Sequence, residues 1–199
     1  MDSQLYFPEA VFGQDNQHST QSRVFTSPGK YIQGPGVLGK VGRYLSILKV
    51  SQVGILASNR GHRDQVPVMT GGLMAHDITW FNATFGGECS IEEINAHALA
   101  LSEQNIQLLM VLGGGKCVDA GKCIAHRLGI PVVIIPTLAS NDAPCSALSV
   151  IYSPVGVAVG VEFFPSNPVM VIVDTEVVVS ASERYLVAGM GDAMATWYE

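Results

Sequence analysis

The stretch 107-QLLMVLGGGKCVDAGKCIAHRLGIPVVIIP-136 decides the fold. QLLMVL is a short, continuously apolar run, the pattern of a strand buried on both faces. Three glycines follow at 113–115. Residues 116–128 then read as a helix, with Cys117, Ala120, Gly121, Ile124 and Leu128 recurring on one face. Gly129 stands where a helix closes in the left-handed conformation, and His126 and Arg127 complement its carbonyl end. The run 132-VVIIP-136 follows at once. Strand, helix and strand in so short a span make a parallel βαβ unit.

The same alternation extends outward. Residues 53-VGILA-57 read as a buried strand and 62–75 as a weaker helix interrupted by Pro67 and Gly71-Gly72. Residues 78-ITWFNAT-84, rich in β-branched and aromatic side chains, read as a strand. Ser90 with Glu93 three residues on forms a capping box that opens a helix running to about Gln104. Later, 148-LSVIY-152 and 157-VAVGVEFF-164 flank a Ser153–Gly156 turn, predicting a hairpin appended to the parallel sheet. A buried strand over 169–174, a short helix and a helix over 183–199 close the chain. The expected fold is α/β: an open, mostly parallel Rossmann-like sheet with helices on both faces.

Composition narrows the function. The chain has 199 residues, is 48% hydrophobic and 14% charged, and carries a formal net charge of −6. That is the opposite of a disordered composition. Eleven scattered Lys and Arg make no electrostatic footprint for nucleic acid. No apolar run is long enough to span a bilayer; the best, 129–140, is broken by Pro131 and Pro136. The four cysteines form no CxxC pair and read as free thiols in a reducing cytoplasm. The first 23 residues have neither the apolar core of a signal peptide nor the arginines of a transit peptide, and read as a polar, mobile tail.

Two loops and one carboxylate carry the chemistry. Gly113–Gly115 let backbone approach a ligand closely or take positive φ, and the following helix N-terminus suits a pyrophosphate, to which Lys116 adds a point charge. A GxGxxG fingerprint starting at Gly113 fails at Val118. A P-loop ending in Gly121-Lys122 fails at Lys116 and Cys123. The alternative is a tight turn without a ligand. The second loop, 137-TLASNDAPCSA-147, also lies at the carboxyl ends of strands, where open α/β sheets bind ligands; it also reads as an ordinary polar turn. Asp192, in the otherwise apolar or small-residue segment 188-AGMGDAMATW-197, must be paired, metal-bound or the N-cap of a helix starting at Ala193.

Together these segments resemble the glycerol dehydrogenase branch of the iron-containing, group III alcohol dehydrogenases. The matching residues are 113-GGGKCVDAGK-122, 135-IPTLASNDAPCSALSVIY-152, 167-NPVMVIVDTEVV-178 and 185-YLVAGMGDAMATWYE-199, with 24-VFTSPGKYIQGPGVLGKVGRYL-45 similar to the family's opening segment. The Gly loop alone is shared with dehydroquinate synthases and glycerol-1-phosphate dehydrogenases; the segment Asn141-Asp142-Ala143-Pro144 disfavours the lyase.

The resemblance implies an α/β domain that binds a nicotinamide dinucleotide, followed by an all-helical domain, with a metal, usually zinc, in the cleft. It implies NAD-dependent oxidation of glycerol to dihydroxyacetone by a cytoplasmic homo-oligomer in the full-length form. By position, Gly114, Gly115, Lys116 and Asp119 would hold the pyrophosphate and ribose side. Thr137, Ser140, Ser146, Leu148 and Tyr152 would line the adenine and nicotinamide path. Asp142 would bind the hydroxyls of a small polyol substrate, and Asp192 would be the first metal ligand. Where NAD-preferring members carry an acidic residue, this chain has Ser58, followed by Asn59 and Arg60, which predicts that NADP is tolerated or preferred; the alternative is that Arg60 is simply a solvated loop residue.

The family's other metal ligands are histidines of the helical domain, and His18, His62, His76, His97 and His126 match none of them. One carboxylate cannot hold a catalytic zinc, which takes about three protein ligands. The expected organisation is therefore a tail over 1–23, a dinucleotide-binding domain over 24–181, and over 182–199 the first helix of a truncated helical domain. Such a chain would be weakly active or inactive, or a non-catalytic nucleotide-binding module. Leu186, Met190, Ala193 and Trp197 at helical spacing predict an exposed apolar patch.

Overall fold

The computed structural model describes residues 6–13 and 24–198. Its centre is a six-stranded sheet, every pair of which is parallel. The strands are β1 (Tyr31–Gly34), β2 (Gln52–Ala57), β3 (Thr79–Thr84), β4 (Leu109–Gly113), β5 (Val132–Pro136) and β8 (Met170–Asp174), in the spatial order β1-β8-β5-β4-β2-β3. β1 is an edge strand to which the sequence reading assigned no element. β6 (Leu148–Tyr152) and β7 (Ala158–Phe163) pair antiparallel as predicted, but they form a separate two-stranded sheet. Alternating apolar residues define a hairpin without saying which sheet it joins. Here Ile151 joins the core under the helix α6 (Gly115–Leu128), and Arg127 of that helix grips Glu162 of β7 at 2.7 and 3.0 Å.

The strands are apolar throughout because both faces are covered. Leu109 and Val111 enter one hydrophobic cluster with α6 and the helix α5 (Ile91–Ser102). Their neighbours Met110 and Leu112 enter the other, with the turns around Val37–Leu45 and the helix α4 (Val66–Met74). Adjacent residues pointing to opposite clusters is the period of two that parallel strands require.

Helix boundaries follow local chemistry. The single helix expected over 62–75 is two, α3 (Asn59–Asp64) and α4, with Pro67 in the first turn of α4, where its missing N–H costs nothing. Ser90 caps α5 by accepting from Glu93 N at 3.2 Å. The reciprocal half of the capping box is absent: Glu93 Oε1 instead accepts from Gly86 N at 2.6 Å. α6 ends at Gly129 with φ +65°, as read, but it is buried nearly all round, Asp119 and Lys122 included, and not on one face only. Asp174 ends β8, caps α7 (Thr175–Val179) through Glu176 N at 3.0 Å, and accepts from Leu38 N at 2.9 Å, tying the N-terminal turns to the sheet.

α8 spans Glu183–Ala195, shorter than the reading to 199, and Asp192 lies inside it. The N-cap reading of Asp192 is therefore wrong. The tail reading also changes: Pro8–Phe12 form a short helix α1, and Tyr6 bridges to Phe163 of β7. Residues 1–5, 14–23 and 199 lie outside the described residues. Among the described residues no helix is long and apolar enough to cross a membrane.

Candidate functional site

The chain runs outward from β2 to β3, returns to β4 on the other side of β2, and continues away to β5. The strand order thus reverses between β2 and β4, and a crevice opens outside the carboxyl ends of the strands at that point. A cleft of about 920 Å³ occupies it. Ser58 and Arg60 after β2 line one side, Gly113–Lys116 after β4 the floor, and Thr137, Ser140 and Tyr152 the other side, with Asp119 below.

The glycine demand of the floor differs from the reading in one respect. None of Gly113, Gly114 and Gly115 has positive φ. Close approach constrains two of them: a Cβ on Gly113 would sit 2.6 Å from the Cys117 Cβ, and one on Gly115 would sit 2.6 Å from Asn141 Nδ2 and displace that side chain, whereas Gly114 has room. The bare backbone leaves the free amides of the α6 N-terminus facing the cleft. These features fit a dinucleotide pyrophosphate.

Lys116 already has partners. Its Nζ lies 2.5 Å from Glu88 Oε1 and 4.8 Å from the centre of the Tyr152 ring. Ser58 caps α3 by accepting from Gly61 N at 3.2 Å. The Arg60 guanidinium is exposed at the cleft edge and lies 3.4 Å from Asp64.

Asp119 and Lys122 form a buried pair below the floor. Lys122 Nζ lies 3.0 Å from Asp119 Oδ1, close enough for an ion pair but not aligned as a hydrogen bond, so Oδ1 lacks a hydrogen-bond partner. Burial pushes the Asp119 carboxyl above the ordinary carboxylate value, and the Lys122 charge opposes that shift. Lys122 donates to Ala143 O at 2.9 Å, to Ser146 Oγ at 3.1 Å and to Leu148 O. One ammonium thus anchors the whole second loop to α6. Ser146 and Leu148, assigned by resemblance to the cofactor path, meet Lys122 and do not line the cleft. Sequence reasoning missed Lys122 and Glu88. The signal for Lys122 was a lysine three residues after an aspartate in an otherwise apolar helix; Glu88 had none.

Asp142 and Asp192 come together across 50 residues: Asp142 N donates to Asp192 Oδ2 at 3.0 Å. Gly189 makes this approach possible, since a Cβ there would lie 2.3 Å from Ala139 O. Neither carboxylate lines the main cleft. Asp142 borders a second, smaller cavity of about 130 Å³ with Tyr31, Leu138 and Cys145. Among the described residues no three His, Cys, Asp or Glu side chains gather as a metal site.

A model of the iron-containing alcohol dehydrogenase family matches residues 28–175. The chain is 41% identical over 177 residues to a glycerol dehydrogenase from Citrobacter freundii, covering 89% of this chain and 48% of the relative. It is 56% identical over 115 residues to a glycerol dehydrogenase from Thermotoga maritima, covering 58% of this chain and 31% of that protein. The crystal structure of glycerol dehydrogenase from Schizosaccharomyces pombe superposes with a TM-score of 0.81 at 36% identity, over 90% of this chain and 45% of that one. The chain thus spans about half the length of most of the curated relatives it matches.

Proposed function

The chain belongs to the iron-containing alcohol dehydrogenase family, and from that premise we propose that it binds a nicotinamide dinucleotide in the β2–β4 cleft, as the cofactor-holding part of an NAD(P)-dependent polyol dehydrogenase acting on glycerol. The observation that carries this reading is the cleft itself, at the strand-order reversal, floored by a glycine run in which Gly113 leaves no room for a Cβ beside Cys117. The relatives' names supply the polyol.

In this reading Gly114 and Gly115 present backbone to the pyrophosphate, and Lys116 adds a cation. Asp119, Thr137, Ser140 and Tyr152 line the remaining length of the dinucleotide. Lys122, with Ser146 and Leu148 as its acceptors, holds the second loop against the floor. Ser58 offers a hydroxyl and no carboxylate to the adenosine ribose, while Arg60 offers a cation at the cleft edge; together they favour acceptance of a 2′-phosphate, hence NADP beside NAD. Bound nicotinamide would supply the hydride acceptor.

A metal does not fit on the described residues alone. Asp192 Oδ2 is occupied by Asp142 N, and no second and third ligand stand beside it. That donor set favours a second reading for the chain alone, nucleotide binding without turnover.

Calorimetric titration with NAD and NADP tests the proposal. Saturable binding that is lost in Gly115→Val supports it, and absence of binding to either dinucleotide overturns it. A glycerol oxidation assay with added zinc or ferrous ion separates the two readings. Turnover excludes the pure binding module, and binding without turnover excludes catalysis by the chain alone. Arg60→Ala is expected to weaken NADP binding and leave NAD binding unchanged; equal loss for both would remove the role assigned to Arg60.

A further inference from the structure

Lys116 stands at the amino end of α6, where a pyrophosphate would arrive, yet its charge is already answered. Glu88 Oε1 lies 2.5 Å from Nζ, and the two side chains are only partly exposed, at 32% and 41%. The other oxygen of the same carboxylate, Oε2, is buried and has no hydrogen-bond partner. The loop that carries Glu88 is fixed from both sides. Gly86 N is held by Glu93 at 2.6 Å, and Cys89 O accepts from Tyr152 N at 2.8 Å. The backbone on both sides of Glu88 is thus held, which keeps the carboxylate's starting point beside Lys116.

We propose that Glu88 is a positioning residue that acts through Lys116 as an electrostatic brake on dinucleotide affinity. A pyrophosphate must share the lysine with a carboxylate that already neutralises most of its charge in a partly desolvated site, so the cation has less attraction to offer. The bound dinucleotide is correspondingly easier to release, and release steps limit turnover in many enzymes. The inference rests on the dinucleotide reading of the cleft and adds the sign of one residue's contribution to it.

Calorimetric or fluorescence titration of the chain with NAD, NADP and inorganic pyrophosphate tests it. Glu88→Gln is expected to tighten dinucleotide binding by ~3–10-fold, where tenfold corresponds to ~1.4 kcal/mol. The gain should shrink at high salt and vanish in the Lys116→Met background. Glu88→Ala, which removes carboxylate and amide alike, should act in the same direction. Thermal midpoints of all variants separate loss of fold from change in binding. Unchanged or weaker binding in both Glu88 variants overturns the brake, as does a gain that persists without Lys116. If the wild-type chain binds neither dinucleotide, the dinucleotide reading falls and takes the brake with it, a result distinct from the other two.

Discussion

Lys122 shows how much of this site depends on a residue that does not itself line the cleft. Its ammonium is buried with two oxygens of the second loop, one of Leu148 at the start of β6 and one of Asp119 around it. Removing one member of a buried ion pair typically costs ~3–5 kcal/mol because the other charge is left uncompensated. Lys122→Met is expected to lose stability of that order in urea titration, with amide exchange rising first over 141–148. Asp119 adds a pH signature. Its carboxyl is raised above 3.8 mainly by burial, so the folded state holds the proton more tightly than the unfolded chain. The stability this group contributes is fully present below about pH 3.8 and is lost as pH rises through the elevated native value. Urea midpoints of the wild type should therefore fall relative to Asp119→Asn as pH rises through that window, and parallel curves would contradict it. The thiols divide by the same logic. Burial pushes Cys117 up to about 12, hydrogen bonding to Cys123 and burial raise Cys89, and Cys145 is raised but only half-buried. Mass spectrometry after mild alkylation of the native chain should find Cys145 modified first. Sequence made Gly115, Lys116 and Ser140 legible because the strand–glycine–helix pattern puts them at one end of a sheet. It could not show that Ser146 turns toward Lys122, since that depends on how the second loop folds back.

At the level of elements, caps and close approaches were the readable part. Ser90 caps α5 as predicted, and Ser90→Ala is expected to cost ~0.5–2 kcal/mol in urea unfolding. Glu93, expected to complete that cap, instead holds Gly86 and sits 3.1 Å from His97. A spacing rule names the two partners of a capping box but not a third competitor from the preceding loop. Gly121 is a different case. A Cβ there would meet Val111 Cγ2 at 2.3 Å, so α6 can lie this close to β4 only with glycine at that point. Over-packing a core commonly costs ~1–3 kcal/mol. Gly121→Ala should lose about that much in chemical denaturation, and Gly121→Ala combined with Val111→Ala should recover part of it; no recovery would show that the backbone, not the Val111 side chain, sets the distance. The hairpin lies beyond such rules. Its pairing is local and legible, but its place against α6 involves contacts such as Arg127–Glu162, between residues 35 apart in sequence.

For the molecule as a whole, the alternation of strands and helices sufficed for a parallel sheet, and with it for a crevice at the strand-order reversal. The outer surface is where the molecule departs from an ordinary α/β domain. α8 touches the second loop through Asp192 and Gly189, and none of its residues is buried. Val187 is 66% exposed, Met194 71% and Trp197, just beyond the helix, 87%. Exposed apolar side chains gathered on one helix promote association in water. The chain is therefore expected to self-associate, with a light-scattering mass that rises with concentration. Charge alone cannot be the cause, because a net charge of −6 repels like molecules. Val187→Lys combined with Met194→Lys isolates the apolar contribution: the two lysines lower the magnitude of the net charge and so weaken that repulsion, yet association should fall because apolar area has been lost. A monodisperse monomer for the wild type at high concentration, or a double variant that associates as strongly, would show that the α8 surface is not the seat of self-association.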